Sequence, residues 1–77
     1  MPKFPVIKTG KLIKVLKKKG FFIYHRVGSH TQFKHVDGRR TTIPVHAGKE
    51  IPCGTLRAIL NDIKISPKEF IDILKKI

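Results

Sequence analysis

Between residues 21 and 45 the chain presents three short runs rich in aromatic and β-branched residues, separated by turn-forming residues, and no other feature constrains the fold as much. The first run, Phe21-Phe22-Ile23-Tyr24-His25-Arg26, is broken by Val27-Gly28-Ser29 and reads as a strand followed by a turn. In the second, residues 30–35, Thr31, Phe33 and His35 fall on one face and His30, Gln32 and Lys34 on the other, so one face packs and the other stays polar. Asp37-Gly38 is a strong hairpin signal, and residues 39–45 alternate as a third strand until Pro44 weakens its pairing. The expectation is a three-stranded antiparallel meander.

The flanking segments carry a helical period. Thr9 is placed to cap a helix in which Leu12, Ile13, Val15 and Leu16 form an apolar stripe and Lys11, Lys14, Lys17, Lys18 and Lys19 stay solvated, with Gly20 ending it. Lysines in the last turn complement the helix dipole, which explains part of this cluster as well as contact with a polyanion does. Residues 46–53 read as a loop, and Leu56, Ile59, Leu60 and Ile63 mark a second helix over residues 55–63. Ser66-Pro67-Lys68-Glu69 combines an N-cap, a first-turn proline and a capping-box glutamate, and the third helix runs almost to Ile77. The order α-β-β-β-α-α is an α+β arrangement: helices cover one face of an antiparallel sheet and leave the other for function.

With 77 residues the chain is expected to be one domain over residues 1–77. Seventeen Lys and Arg against five Asp and Glu leave a formal charge of +12, which points to a polyanion such as nucleic acid, an anionic membrane surface or an acidic protein partner. The longest apolar run, residues 21–24, is far short of the roughly 20 residues a spanning helix needs. After Met1-Pro2-Lys3 there is no apolar stretch of the about 7–15 residues that export requires, so the expected location is the cytoplasm. A single Cys53, unable to form an intrachain disulfide, suits that reducing compartment.

His30 follows the Gly28-Ser29 turn and faces the same way as Gln32 and Lys34, away from Phe33. An imidazole, with a reference pKa of about 6.5, is the side chain best suited to take a proton from a ribose 2′-hydroxyl or give one to the leaving oxygen, and such cleavage needs no metal. Nearby lysines and arginines can stabilise the negative charge of the transition state. His46, in a loop with Gly48 and Lys49, can hold a phosphate or assist proton transfer, whereas His25 and His35 read as structural or surface residues. Histidine and cysteine spacings match no familiar ligand pattern, so no metal site is expected. Cys53 precedes a helix start, where a thiol pKa can fall, but it has no identifiable base beside it. The glycines are scattered singly and form no phosphate-cradling loop, which leaves nucleotide hydrolysis unsupported.

Gly28-Ser29-His30, with Gly20-Phe21 upstream and Phe33 downstream, resembles the HicA family of toxin ribonucleases, also called the YcfA-like family. The likeness continues through Asp37-Gly38-Arg39-Arg40, Ile43-Pro44-Val45-His46, Gly54-Thr55-Leu56-Arg57-Ala58-Ile59-Leu60, and Ser66, Glu69 and Phe70. It implies a double-stranded-RNA-binding-domain-like fold, metal-independent cleavage of messenger RNA without a cofactor, and growth arrest within a toxin–antitoxin pair. It also implies a HicB-type antitoxin partner that covers the active surface, and the basic chain is consistent with an acidic one. The family's catalytic histidine falls on His30, and its glycine and serine on Gly28 and Ser29, which shape the turn. Cys53 stands where the family more often has lysine, which removes one phosphate contact.

The leading expectation is thus an endoribonuclease in which His30 is general base or acid, Ser29, Lys34, Arg39, Arg40, His46 and Lys49 contact RNA, and Gly28 shapes the turn. A non-catalytic RNA-binding module and a ribosome-associated scaffold protein are the competing classes.

Overall fold

The apolar stripe of the first basic segment and the alternation of the middle segment each become the element they predict. A computed structural model describes residues 6–46 and 48–77; Met1-Pro2-Lys3, read for an export signal, lies outside them. The elements are α1 (Thr9–Lys18), β1 (Phe22–Val27), β2 (His30–Lys34), β3 (Arg40–Pro44), α2 (Cys53–Asp62) and α3 (Pro67–Leu74). This is the expected α+β order, with the strands arranged β1-β2-β3 and each antiparallel to its neighbour.

In α1, Leu12, Val15 and Leu16 are fully buried, and the lysines around them face outward or lie half-buried. The helix ends as expected at Gly20, whose φ of +90° suits glycine. Its N–H donates to Lys17 O at 3.1 Å, and the next N–H, of Phe21, donates to Leu16 O at 3.0 Å. That pair of bonds closes a Schellman turn, and the buried Leu16 and Phe21 supply its apolar contact. A Cβ on Gly20 would stand 3.0 Å from His35 Nε2, a second reason for glycine there.

The start of α1 corrects the expectation that Thr9 caps it. Lys8 is the N-cap and makes no side-chain cap, while Thr9 is already helical and buried. Residues 7–9 lie beside residues 49–51, with Ile51 N–H donating to Ile7 O at 2.8 Å and Lys8 bridged to Glu50. That pairing brings Lys49 O to Thr9, which donates to it through both N–H and Oγ1 at 3.2 Å. Thr9 therefore ties the loop after β3 to the first helix.

The inner face of the sheet carries Thr31 and Phe33 from β2 and Thr41 and Ile43 from β3, all buried. They meet Leu12 and Leu16 of α1, Leu56 and Ile59 of α2, and Phe70 of α3 in one core. β1 stands apart: all six of its residues are exposed, because the helical layer does not extend over this edge. β3 is shorter than residues 39–45, yet pairing does not fail at Pro44, which lies opposite His30. Val45 N–H still donates to Ser29 O, at 2.6 Å, so His30 and Pro44 form a pair from which the ladder asks no N–H.

α2 begins at Cys53, two residues before the expected start. At α3, Ser66 Oγ accepts the Glu69 N–H at 3.1 Å and Pro67 occupies the first turn, as read. The reciprocal half of the capping box is not made. Glu69 Oε2 turns to Lys19 Nζ, 2.9 Å away, and links α3 to the end of α1.

The β2–β3 turn is a polar knot. His35 N–H donates to Arg39 O at 2.8 Å, Gly38 N–H to His35 O at 2.9 Å, and Asp37 N–H to His35 Nδ1 at 3.1 Å. Asp37 accepts from Arg39 N–H at 3.0 Å and from Arg39 Nε at 2.8 Å. Arg39 Nη1 continues to Ile63 O, 2.6 Å away at the end of α2, and its guanidinium lies 5.1 Å from the centre of the Phe21 ring. The Arg39 backbone N–H, assisted by its guanidinium, holds the Asp37 carboxyl below its usual pKa.

Three outcomes follow from these contacts. Thr31 Oγ1 is buried with no hydrogen-bond partner, so Thr31→Val raises stability by about 1 kcal/mol, read as a melting temperature higher by roughly 4–8 °C. Arg39→Ala lowers stability by about 2–3 kcal/mol in urea denaturation, whereas the exposed Arg40→Ala stays within about 0.5 kcal/mol of the parent. Because the folded-state pKa of Asp37 is depressed, its contribution is complete above about pH 4 and disappears as pH falls through the lowered value. The urea midpoints of the parent and Asp37→Asn therefore converge on acidification.

Candidate functional site

Strand register determines which side chains share the uncovered face. His30, Gln32 and Lys34 alternate with the buried Thr31 and Phe33, so they point away from the core. Across β2, His30 faces Val27 on one side and Pro44 on the other, Gln32 faces His25 and Thr42, and Lys34 faces Phe22 and Arg40. Residues directly opposite one another in a sheet share a face. The outer face therefore carries two imidazoles, two cations, an amide, a hydroxyl and an aromatic ring, all on a rigid sheet.

His30 is exposed and opens β2 immediately after the two-residue Gly28-Ser29 loop. Gly28 has φ +57° at the first loop position, where a tight hairpin of this length needs the left-handed region. Ser29 is half-buried, and its carbonyl is fixed by the Val45 N–H, so the residue preceding His30 is anchored from β3. The His30 side chain makes no hydrogen bond to any described residue. Its ring is free to meet a substrate.

Lys34 and Arg40 are exposed and opposite one another, and Lys34 Nζ lies 5.8 Å from the centre of the Tyr24 ring. A shallow cleft of about 440 Å³ runs between Tyr24, Gln32, Arg40 and Thr42 down to Thr41 and Asp62. Thr41 Oγ1 donates to Asp62 Oδ2 at 3.0 Å on its floor. His46 and Lys49 are exposed in the loop that follows β3, where Lys49 N–H donates to His46 O at 3.0 Å. That loop leaves the sheet two residues beyond Pro44, the partner of His30. Arg39 is not part of this face: Asp37, Ile63 and Phe21 engage its guanidinium.

Three side chains on the face were not singled out from the sequence. Phe22 and Tyr24, each 44% exposed, border the cations, and His25 stands opposite Gln32. A bulge between Ile23 and His25 places them, an irregularity that no glycine or asparagine marks in the run 22–27. His35 is structural, stacked edge-on against Phe21 with ring centres 5.0 Å apart. Cys53 is exposed at the first position of α2.

Among the described residues, no group of three or more His, Cys, Asp or Glu side chains is gathered in a way that could hold a metal ion. No helix among them is long and apolar enough to cross a membrane. A comparison with curated proteins finds no match. The family model described as the HicA toxin of bacterial toxin-antitoxin matches residues 10–65, from the first turn of α1 to the residue after the α2 C-terminal turn. The match spans the whole sheet with its Gly28-Ser29-His30 turn, and the chain belongs to the HicA toxin family of bacterial toxin–antitoxin systems.

Proposed function

We propose that this toxin is an endoribonuclease that cuts messenger RNA on the outer face of its sheet, with His30 moving a proton in the reaction. The observation that carries the reading is an exposed, unbonded imidazole at the head of the central strand, on a face that also presents Lys34 and Arg40. A histidine can take the 2′-hydroxyl proton or protonate the leaving oxygen without a metal. Cations placed in advance stabilise the charge that gathers on the phosphate. Lys34 and Arg40 grip the backbone, Ser29, His46 and Lys49 line the approach to His30, and Gly28 holds the turn that presents it. Arg39 contributes through its structural contacts. Phe22 and Tyr24 offer rings on which unpaired bases can stack, which favours single-stranded RNA.

The chain acts in the cytoplasm as one functional unit over residues 1–77, and its cutting of messages stops translation and growth. A HicB-type antitoxin of acidic character silences it by covering the basic outer face. Charge complementarity supports this partner, since the formal charge of +12 is largely unneutralised within the fold.

Incubating purified protein with labelled single-stranded RNA tests the reading. The parent cuts the RNA with or without a chelator, and His30→Ala, folded by circular dichroism, cuts at least about a hundredfold more slowly and is harmless when expressed in bacteria. Lys34→Ala and Arg40→Ala each weaken RNA binding and reduce its salt slope by about one unit. Intact RNA despite salt-sensitive binding by the parent would leave an RNA-binding module. Loss of cutting on chelation would replace this mechanism with a metal-dependent one.

A further inference from the structure

The bulge in β1 has chemical consequences for the outer face. Counted from the Gly28-Ser29 turn, Val27 lies opposite His30 and points outward, Arg26 lies opposite Thr31 and points inward, and His25 lies opposite Gln32 and points outward. Counted from α1, Phe21 is buried, Phe22 lies opposite Lys34 and points outward, and Ile23 lies opposite Phe33 and points inward. A regular strand cannot satisfy both counts, because continuing from Ile23 it would send Tyr24 outward and His25 inward. One extra residue absorbs the difference. Tyr24 meets Lys34 and lines the outer cleft, and His25 also reaches the outer face.

His25 is therefore the diagonal neighbour of His30, since its partner Gln32 lies two residues along β2. Diagonal positions on one face of a sheet have backbones about 7–8 Å apart, so both rings can reach one phosphodiester seated between them. Resting on the RNA-cutting reading, we infer that His25 is the second proton-transfer residue of the same site. One imidazole, uncharged, takes the proton of the 2′-hydroxyl as its oxygen attacks phosphorus. The other, protonated, gives its proton to O5′ as the P–O5′ bond breaks. The products are a 2′,3′-cyclic phosphate and a 5′-hydroxyl, and the two rings end with their protonation states exchanged. No oxidant, metal or further reactant is required.

The other titratable or charged groups near His25 are poorly suited to the role. Lys34 and Arg40 serve the phosphate backbone in the RNA-cutting reading, and the Tyr24 ring is engaged by Lys34 Nζ, 5.8 Å from its centre. Arg26 points to the other face, and Asp62 at the cleft floor accepts from Thr41. Two imidazoles remain on the sheet's outer face, His25 and His30, each exposed; the third exposed imidazole, His46, is carried by the loop after β3, on the side of β2 away from His25.

Steady-state kinetics of the full chain on a short single-stranded oligoribonucleotide, at a cut site mapped with the parent, test the inference. The rate–pH profile of the parent is a bell. His25→Ala and His25→Gln, folded by circular dichroism, lower kcat at least about a hundredfold, change KM little and lose one limb of the bell. Replacing O5′ by sulfur at the cut site creates a leaving group that departs without protonation, so it restores the rate of one of the two variants, His25→Ala or His30→Ala, and not the other. A His25→Ala enzyme that keeps both limbs, or that changes KM alone, would overturn the inference and make His25 a binding residue. Rescue of both variants or of neither would overturn it as well. If the parent cuts and His30→Ala does not, a normal His25→Ala removes this inference only; a parent that leaves RNA intact removes it together with the RNA-cutting reading.

Discussion

Phe33, fully buried in the middle of the central strand, decides what each face of this small protein is for. Its ring anchors β2 against the helices, and strand alternation then obliges Gln32 and Lys34 to face the other way. A one-residue slip of register would exchange the two sets, burying a lysine and exposing a phenylalanine. Thr31 and Ile43, paired with each other two residues along from Phe33, strengthen the same choice. The polar face is thus a direct product of the core, and its geometry is as rigid as the packing beneath it.

Scarce negative charge is used inside the fold. Of five acidic residues, Asp37 organises the β2–β3 turn, Asp62 accepts the Thr41 hydroxyl between α2 and β3, and Glu69 fastens α3 to Lys19. Each of these carboxylates joins two elements or two strands. Most of the lysines and arginines lie outside these pairings, which produces an external field suited to a polyanion. Adjacent arginines show how finely the division runs: Arg39 turns toward Phe21 and the end of α2, while Arg40, one residue on, faces out beside Lys34.

Whatever depends on local periodicity was legible in the sequence. The stripe of α1, the Gly20 stop, the two-faced pattern of β2 and the Ser66-Pro67 start of α3 all repeat or cap within a few residues, and each lies where expected. The outward direction of His30, Gln32 and Lys34 was legible for the same reason. Features set by distant partners were not. Thr9 resembles a cap, but its acceptor is a carbonyl 40 residues away. Arg39 and Arg40 look alike until Phe21 and Ile63 select one of them. The sidedness of His25 depends on two strand counts that disagree, and the place where they are reconciled carries no turn-forming residue.

That reconciliation also guards the molecule against its own copies. β1 is an edge with Phe22, Ile23, Tyr24 and Val27 all exposed, the kind of strand that recruits an identical neighbour and grows into an aggregate. An extra residue in mid-strand throws its row of amides and carbonyls out of step, so a second straight strand can match it over only two or three residues. Removing the bulge would leave a smoother and stickier rim, prone to polymerise.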